Sequence, residues 1–167
     1  MKLGPDQLRQ FLPAGVAAEI EPGRLAAQRL EVSVLCCDLS GFRPLAEAHP
    51  DRALGVLNSM LAPIATAIFA ERGTLMSFPG DGALAVFGAP LEEPAHRERA
   101  ERVAAAIRGP ILERARAQLE RDGLPPLGID VAVESGPALC GVIGAEPRWE
   151  YAAIGDVTAR AIGGARP

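Results

Sequence analysis

The sequence is poor in aromatic residues. One Trp, one Tyr and five Phe make up 4% of 167 residues, which leaves no exposed stacking platform for single-stranded nucleic acid. Cysteine and histidine are scarce too. Cys36 and Cys37 are adjacent in an apolar run, and neighbouring strand residues point to opposite faces, so they do not pair readily. His49 and His96 lie far along the chain from these two and from Cys140, so no zinc-ligand spacing exists. The three thiols read as buried, free and reduced, as in a cytosol. A basic stripe is also missing: the formal net charge is -4 and the pI about 5.3. The Arg residues between Arg97 and Arg121 alternate with Glu and Ala at helical spacing, as on a solvated helix face. This argues against a nucleic-acid partner. The N-terminus has no long apolar core with a cleavage site, so no signal peptide is expected. The longest apolar stretch, 60–70, is too short to cross a bilayer. The expectation is a cytoplasmic protein with no membrane insertion.

What is present suits one globular domain. Hydrophobic residues make up 49% and charged residues 23%, and 167 residues give a full-sized core. Residues 1–30 read as a helical leader, broken at Pro13-Ala14-Gly15 and at Pro22-Gly23. The main domain is placed at 31–167. It opens with the apolar run Glu31 to Cys37, a buried strand that ends at the turn Asp38-Leu39-Ser40-Gly41-Phe42. A helix is expected over about 50–71, with Leu54, Leu57, Leu61, Ile64 and Ile68 on its buried face and a kink at Pro63. Two short strands around Pro79-Gly80-Asp81-Gly82 read as a β-hairpin. A second helix is expected over about 94–121, kinked at Gly109-Pro110. Strands are expected over 127–133 and 138–143, paired across Ser135-Gly136-Pro137, and another over 151–154.

The order strand, helix, strand, strand, helix, strand is the α+β, ferredoxin-like βαββαβ arrangement. Its geometry returns the hairpin turn to the end of the sheet where the first strand stops. Asp38 and Asp81 then become neighbours across 43 positions of sequence. Singly, an Asp after a strand is most often a helix cap, and an Asp in a Pro-Gly-Asp-Gly turn is most often a turn former. Together, two carboxylates repel unless a cation or a shared proton relieves them. An oxygen-only donor set favours Mg²⁺ or Mn²⁺ over zinc, with phosphate oxygens and water completing the shell. Ser40-Gly41-Phe42, leading into a helical region, offers backbone N–H groups to phosphate.

These residues resemble a known family. Val34-Leu35-Cys36-Cys37-Asp38-Leu39-Ser40-Gly41-Phe42 is similar to the first metal motif of class III nucleotidyl (adenylate/guanylate) cyclases, and Phe78-Pro79-Gly80-Asp81-Gly82-Ala83-Leu84-Ala85-Val86-Phe87-Gly88-Ala89-Pro90 to the second. Cys140-Gly141-Val142-Ile143-Gly144 and Tyr151-Ala152-Ala153-Ile154-Gly155-Asp156 resemble the later strand motifs, and Phe11-Leu12-Pro13 the segment that often precedes the domain. The resemblance implies two metal ions on Asp38 and Asp81, helped by the Leu39 carbonyl. It places Ser40, Gly41 and Phe42, with Gly80, around the phosphates of ATP or GTP. It also implies dimers with sites at the interface.

The other half of the family's chemistry is absent. The base-reading Lys is expected at Ser77 and the second base reader at Ala152. The ribose-orienting Asn is expected at Ala159 and the transition-state Arg at Gly163; Arg160 stands three positions early. No catalytic residue is assigned. The chain also reads as shortened at its C-terminal side relative to the family fold, leaving a sheet edge for a partner to cover. Three functions follow as expectations. The first is a non-catalytic nucleotide- or metal-binding or dimerisation module in cyclic-nucleotide signalling. The second is the metal-bearing half of a heterodimeric cyclase. The third is a weakly active homodimer using Arg160 or Arg148. A diguanylate cyclase is set aside, because its Gly-Gly-Asp/Glu-Glu-Phe motif is not present.

Overall fold

A computed structural model describes residues 11–12, 25–145 and 148–165. Most of the expected leader, 1–30, therefore lies outside the described residues. The elements are β1 (Gln28–Asp38), α1 (Phe42–Ala48), α2 (Pro50–Ala70), β2 (Thr74–Ser77), β3 (Ala83–Phe87), α3 (His96–Ala106), a π-helical turn (Ile107–Ile111), α4 (Leu112–Arg121), β4 (Asp130–Ala145), β5 (Arg148–Ile154) and α5 (Asp156–Gly164). The sheet order is β2-β3-β1-β4-β5, and every neighbouring pair is antiparallel. This is the expected α+β arrangement, with β5 and α5 added.

Alternation along β1 builds two cores. Val32, Val34 and Cys36 face one side, where Cys140, Tyr151, Val157 and Ala161 complete a buried cluster with α5. Leu35 and Cys37 face the other, against Ile64 and Ile68 of α2, Val103 of α3 and Ile107 of the π-helical turn. Ser33 is fully buried between these layers. Its Oγ lies 2.8 Å from His96 Nδ1 and 2.7 Å from Ser135 Oγ, so the buried hydroxyl is satisfied on both sides.

Several expectations change. The segments 127–133 and 138–143 are not a hairpin. They form the single long strand β4, and Ser135, Gly136 and Pro137 pair with Ser33, Val32 and Glu31 of β1. Pro137 is tolerated because β5 pairs only from Leu139 onward, so the outer side of β4 carries no strand there. The helix α2 runs unbroken through Pro63, and its buried face is turned: Ala53, Val56, Met60, Leu61, Ile64 and Ile68 are buried while Leu54 is 72% exposed. Pro63 removes one ladder donor but leaves the helix packed on the sheet, and that packing decides its course. By length and hydropathy, Pro50–Ala70 also meets the requirement for a bilayer span, which the shorter stretch 60–70 does not show. Here its apolar face covers β1 and β3. The expected break at Gly109-Pro110 appears as the π turn, with Gly109 outside helical φ/ψ.

The two edge strands of the sheet are β2 and β5. The sheet curls until β2 and β5 come into contact, and Met76 and Tyr151 share one core. Phe11 stacks on Tyr151 with ring centroids 6.1 Å apart, and its carbonyl accepts the Leu75 N–H at 2.9 Å. On the opposite face of the β4–β5 end, the register partners Leu139 and Ile154 are exposed, as is Ile143.

Cys36, Cys37 and Cys140 are free and buried, as expected. Burial pushes the Cys37 thiol up to about 12 and the Cys140 thiol up to about 11, so neither forms thiolate near neutrality. A thiol reagent at pH 8 is expected to leave the native chain unlabelled and to label all three positions in denaturant. Rapid labelling of the folded chain would contradict the packing of β1.

Candidate metal and nucleotide site

The neighbour of β1 on one side is β3, the second strand of the hairpin. The pairing ends at Cys37↔Ala83, so the turn before Ala83 lies against the end of β1. A Cβ on Gly82 would fall 2.1 Å from the Cys37 carbonyl oxygen and 3.2 Å from Asp38 Oδ1. Glycine is thus required for the hairpin backbone to lie on the Cys37–Asp38 peptide. Asp81 precedes that contact directly, so both carboxylates stand at one end of the sheet. The turn is closed by the Gly82 N–H donating to the Pro79 carbonyl at 3.1 Å, and Gly80 supplies the left-handed φ of 64°.

On the other side, Asp38 is the register partner of Asp130 of β4. The pairing continues past the ladder. Ser40 N–H donates to the Gly128 carbonyl at 3.1 Å, and Gly128 N–H donates to the Ser40 carbonyl at 2.9 Å. Gly41 then turns the chain with φ 87° and caps α1. The Leu39 side chain is buried with Met60 and Leu112, and Phe42 packs against the same cluster. Both side chains therefore anchor the turn in the core, leaving backbone groups as what 39–42 can offer a ligand.

The donor set fits a particular kind of metal site. Among the described residues, no three His, Cys, Asp or Glu side chains gather to hold a metal ion. An all-protein cage for Ca²⁺ or zinc is thus not formed. Two carboxylates beside a glycine-rich turn fit Mg²⁺ or Mn²⁺, which take one or two protein carboxylates when phosphate oxygens supply the rest.

The positions expected to read the base and stabilise the transition state are elsewhere. Ser77 ends β2, opposite Leu84 beside a bulge. Ala152 sits on β5 opposite Gly141. Ala159 and Gly163 are exposed on α5, and nothing lies within 4 Å of a Cβ built on Gly163. Arg160 donates from Nε to Glu134 Oε2 at 3.1 Å, and Arg148 pairs with Glu150 at 2.8 Å. Both cations already have carboxylate partners on the surface.

Sequence reasoning missed the role of Gly128 and Asp130 at this end. Both fall outside the matching motifs, and the β1–β4 register was unknown. A glycine just before a strand pattern was the available signal of close backbone approach.

Comparison with known proteins places this fold in a family. The family model for the Adenylate and Guanylate cyclase catalytic domain matches residues 25–162, and the chain belongs to that family. It is 30% identical over 135 residues to Adenylate cyclase 1 of Rhizobium meliloti (strain 1021), covering 80% of this chain and 20% of that protein. The structure of the guanylyl cyclase Cya2 superposes with a TM-score of 0.77 at 29% identity, over 82% of this chain and 70% of that one. The adenylyl cyclase CyaB from P. aeruginosa gives 0.77 at 27% identity, over 83% and 72%. The chain spans about a fifth to a quarter of the curated relatives it matches.

One substitution tests the close approach. Gly82→Ala forces a methyl into the Cys37 carbonyl and is expected to destabilise the domain by about 1–3 kcal/mol, read as a lowered melting temperature. Gly80→Ala meets no atom within 4 Å and strains only its left-handed φ, so its cost should be smaller, about 1 kcal/mol.

Proposed function

We propose that this domain binds a metal-bound nucleoside triphosphate, ATP or GTP, at the Asp38–Asp81 end and does not cyclise it unaided. Its role is then a nucleotide- or metal-binding and dimerising module in cytoplasmic cyclic-nucleotide signalling. The observation that carries this reading is the asymmetry of the site. The carboxylates converge at a glycine-lined turn, while Ser77, Ala152, Ala159 and Gly163 offer no cation and no amide side chain.

In this reading Asp38 and Asp81 hold Mg²⁺ or Mn²⁺ with the Leu39 carbonyl, and backbone groups of Ser40, Gly41 and Phe42, with Gly80, face the phosphates. The metal, when bound, supplies charge neutralisation at the phosphates and activation of the attacking hydroxyl. Base orientation and transition-state charge have no counterpart in this chain. Losing such an electrostatic donor costs on the order of a hundredfold in rate or more, and here several are gone together. The exposed strip of Leu139, Ile143 and Ile154 suits a second cyclase-like domain, in a homodimer or a heterodimer.

The losses all fall on one side of the chemistry, which favours a second reading: the metal-bearing half of a heterodimeric cyclase. A partner domain carrying Lys, Asn and Arg at the vacant positions would complete the site.

Calorimetry with Mn²⁺ plus ATP or GTP is expected to show metal-dependent binding that Asp38→Asn and Asp81→Asn each abolish. Binding that ignores both substitutions, or no binding at all, would sink the proposal. A cyclase assay of the purified chain with Mn²⁺ is expected to be blank; any activity that persists in Asp38→Ala comes from a contaminant. Mixing with a partner that supplies the missing groups separates the two readings, since only the heterodimer half gains product.

Open space at Gly163 allows a stronger test. In a chain already carrying Ser77→Lys and Ala159→Asn, adding Gly163→Arg is expected to raise cyclase rate by about a hundredfold, the usual worth of such a group.

A further inference from the structure

We propose that Phe11 is a clasp across the seam where the sheet closes on itself, and that the seam opens there while the centre of the sheet stays folded. Neither metal nor nucleotide takes part.

The seam has no backbone ladder of its own. β2 and β5 touch, yet they are the two outer strands of the sheet and are not hydrogen-bonded neighbours. Side chains and the segment ahead of β1 therefore hold them together. Phe11 reaches both strands. Its carbonyl accepts the Leu75 N–H of β2 at 2.9 Å. Its ring stacks on Tyr151 of β5, with centroids 6.1 Å apart and planes inclined by 27°. The fit is fixed by burial: Phe11 is 3% exposed, Tyr151 2% and Leu12 1%, and all three share one cluster with Met76 of β2. A ring packed on all sides has no room to swing aside.

The edge strands are also the least secured part of the sheet. β2 has four residues, and its ladder to β3 is interrupted by a bulge between Leu75 and Ser77. Thr74 Oγ1 donates to the Ala89 carbonyl at 2.6 Å and ties only its start. β1, by contrast, is paired on both sides and packed on both faces. Short, bulged edges open before doubly paired centres do, so release of the clasp is a local event. Ser77 follows Met76 and Ala152 follows Tyr151. Opening the seam therefore parts the two positions that the family resemblance gives to the base. The segment ahead of β1 gains a hold on those positions without touching Asp38 and Asp81, which rest on the β1–β3 contact.

Five forms of the full chain test this by amide hydrogen exchange: unaltered, Phe11→Leu, Tyr151→Leu, the double variant and Tyr151→Phe. Leucine keeps an apolar side chain in the cluster and removes the ring pair. Each leucine change alone is expected to speed exchange of the Leu75 amide by about two- to tenfold, the worth of one aromatic pair. The amides of Val34 and Glu134, register partners at the sheet centre, should keep their rates. The same stack is lost in either case, so the double variant should match the singles rather than multiply them. Tyr151→Phe keeps the stack and should keep the Leu75 rate. An unchanged Leu75 amide in both leucine variants would overturn the clasp. Equal acceleration at Leu75, Val34 and Glu134 would do so too, because the seam would then open only with the whole domain. Multiplied effects in the double variant, or a Tyr151→Phe chain as fast as Tyr151→Leu, would likewise show that the ring pair does not hold the seam.

Discussion

Backbone proximity at the end of β1 governs this molecule. The carbonyl of Cys37 lies where a Cβ of residue 82 would be, so the hairpin and the first strand meet without a side chain between them. Two carboxylates more than forty residues apart are brought together by that contact. A divalent cation held between them belongs to the proposed reading, since an oxygen-only donor pair suits Mg²⁺ or Mn²⁺. The remainder of the fold maintains the contact. Helices α2 and α3 cover Leu35 and Cys37 on one face, α5 backs Val34 and Cys36 on the other, and the Ser33 hydroxyl ties β1 to His96 of α3 and Ser135 of β4.

Much of this was legible in the sequence. The apolar run from Glu31 to Cys37 reads as a buried strand, and the Pro-Gly-Asp-Gly tetrapeptide reads as a turn. Once a helix separates them, right-handed crossover places both turns at one end. Other parts were misread for physical reasons. Ser135-Gly136-Pro137 has turn composition, yet it pairs in register with β1, because Pro137 meets no strand on its outer side. Leu54 matched the helical period, but the stripe through Ala53, Val56 and Met60 faces the core. The backbone pairing of Gly128 with Ser40 was invisible, since it depends on a pairing register that no local pattern encodes.

The distribution of what is present and absent has a simple energetic meaning. Under the proposed function, holding a metal–nucleotide needs charge opposite charge, which Asp38 and Asp81 with the backbone N–H groups of the turn would provide. Turning it over needs charge placed where charge develops only in the transition state. In the proposed reading the first requirement falls to the end of one strand and one turn. The second would fall to β2, β5 and α5, where Ser77, Ala152, Ala159 and Gly163 are small and neutral. Arg160 and Arg148 each form a surface ion pair with a neighbouring glutamate.

The curl of the sheet has a consequence for how such molecules meet one another. An ordinary five-stranded sheet presents two ragged borders of unpaired amides and carbonyls, each an invitation to stack further strands without limit. Here the border along β2 is already engaged by the Phe11 carbonyl, and the opposite border bends round to lie beside it. Part of the β2 border is therefore occupied from within the chain, and a strand added there would have to displace Phe11.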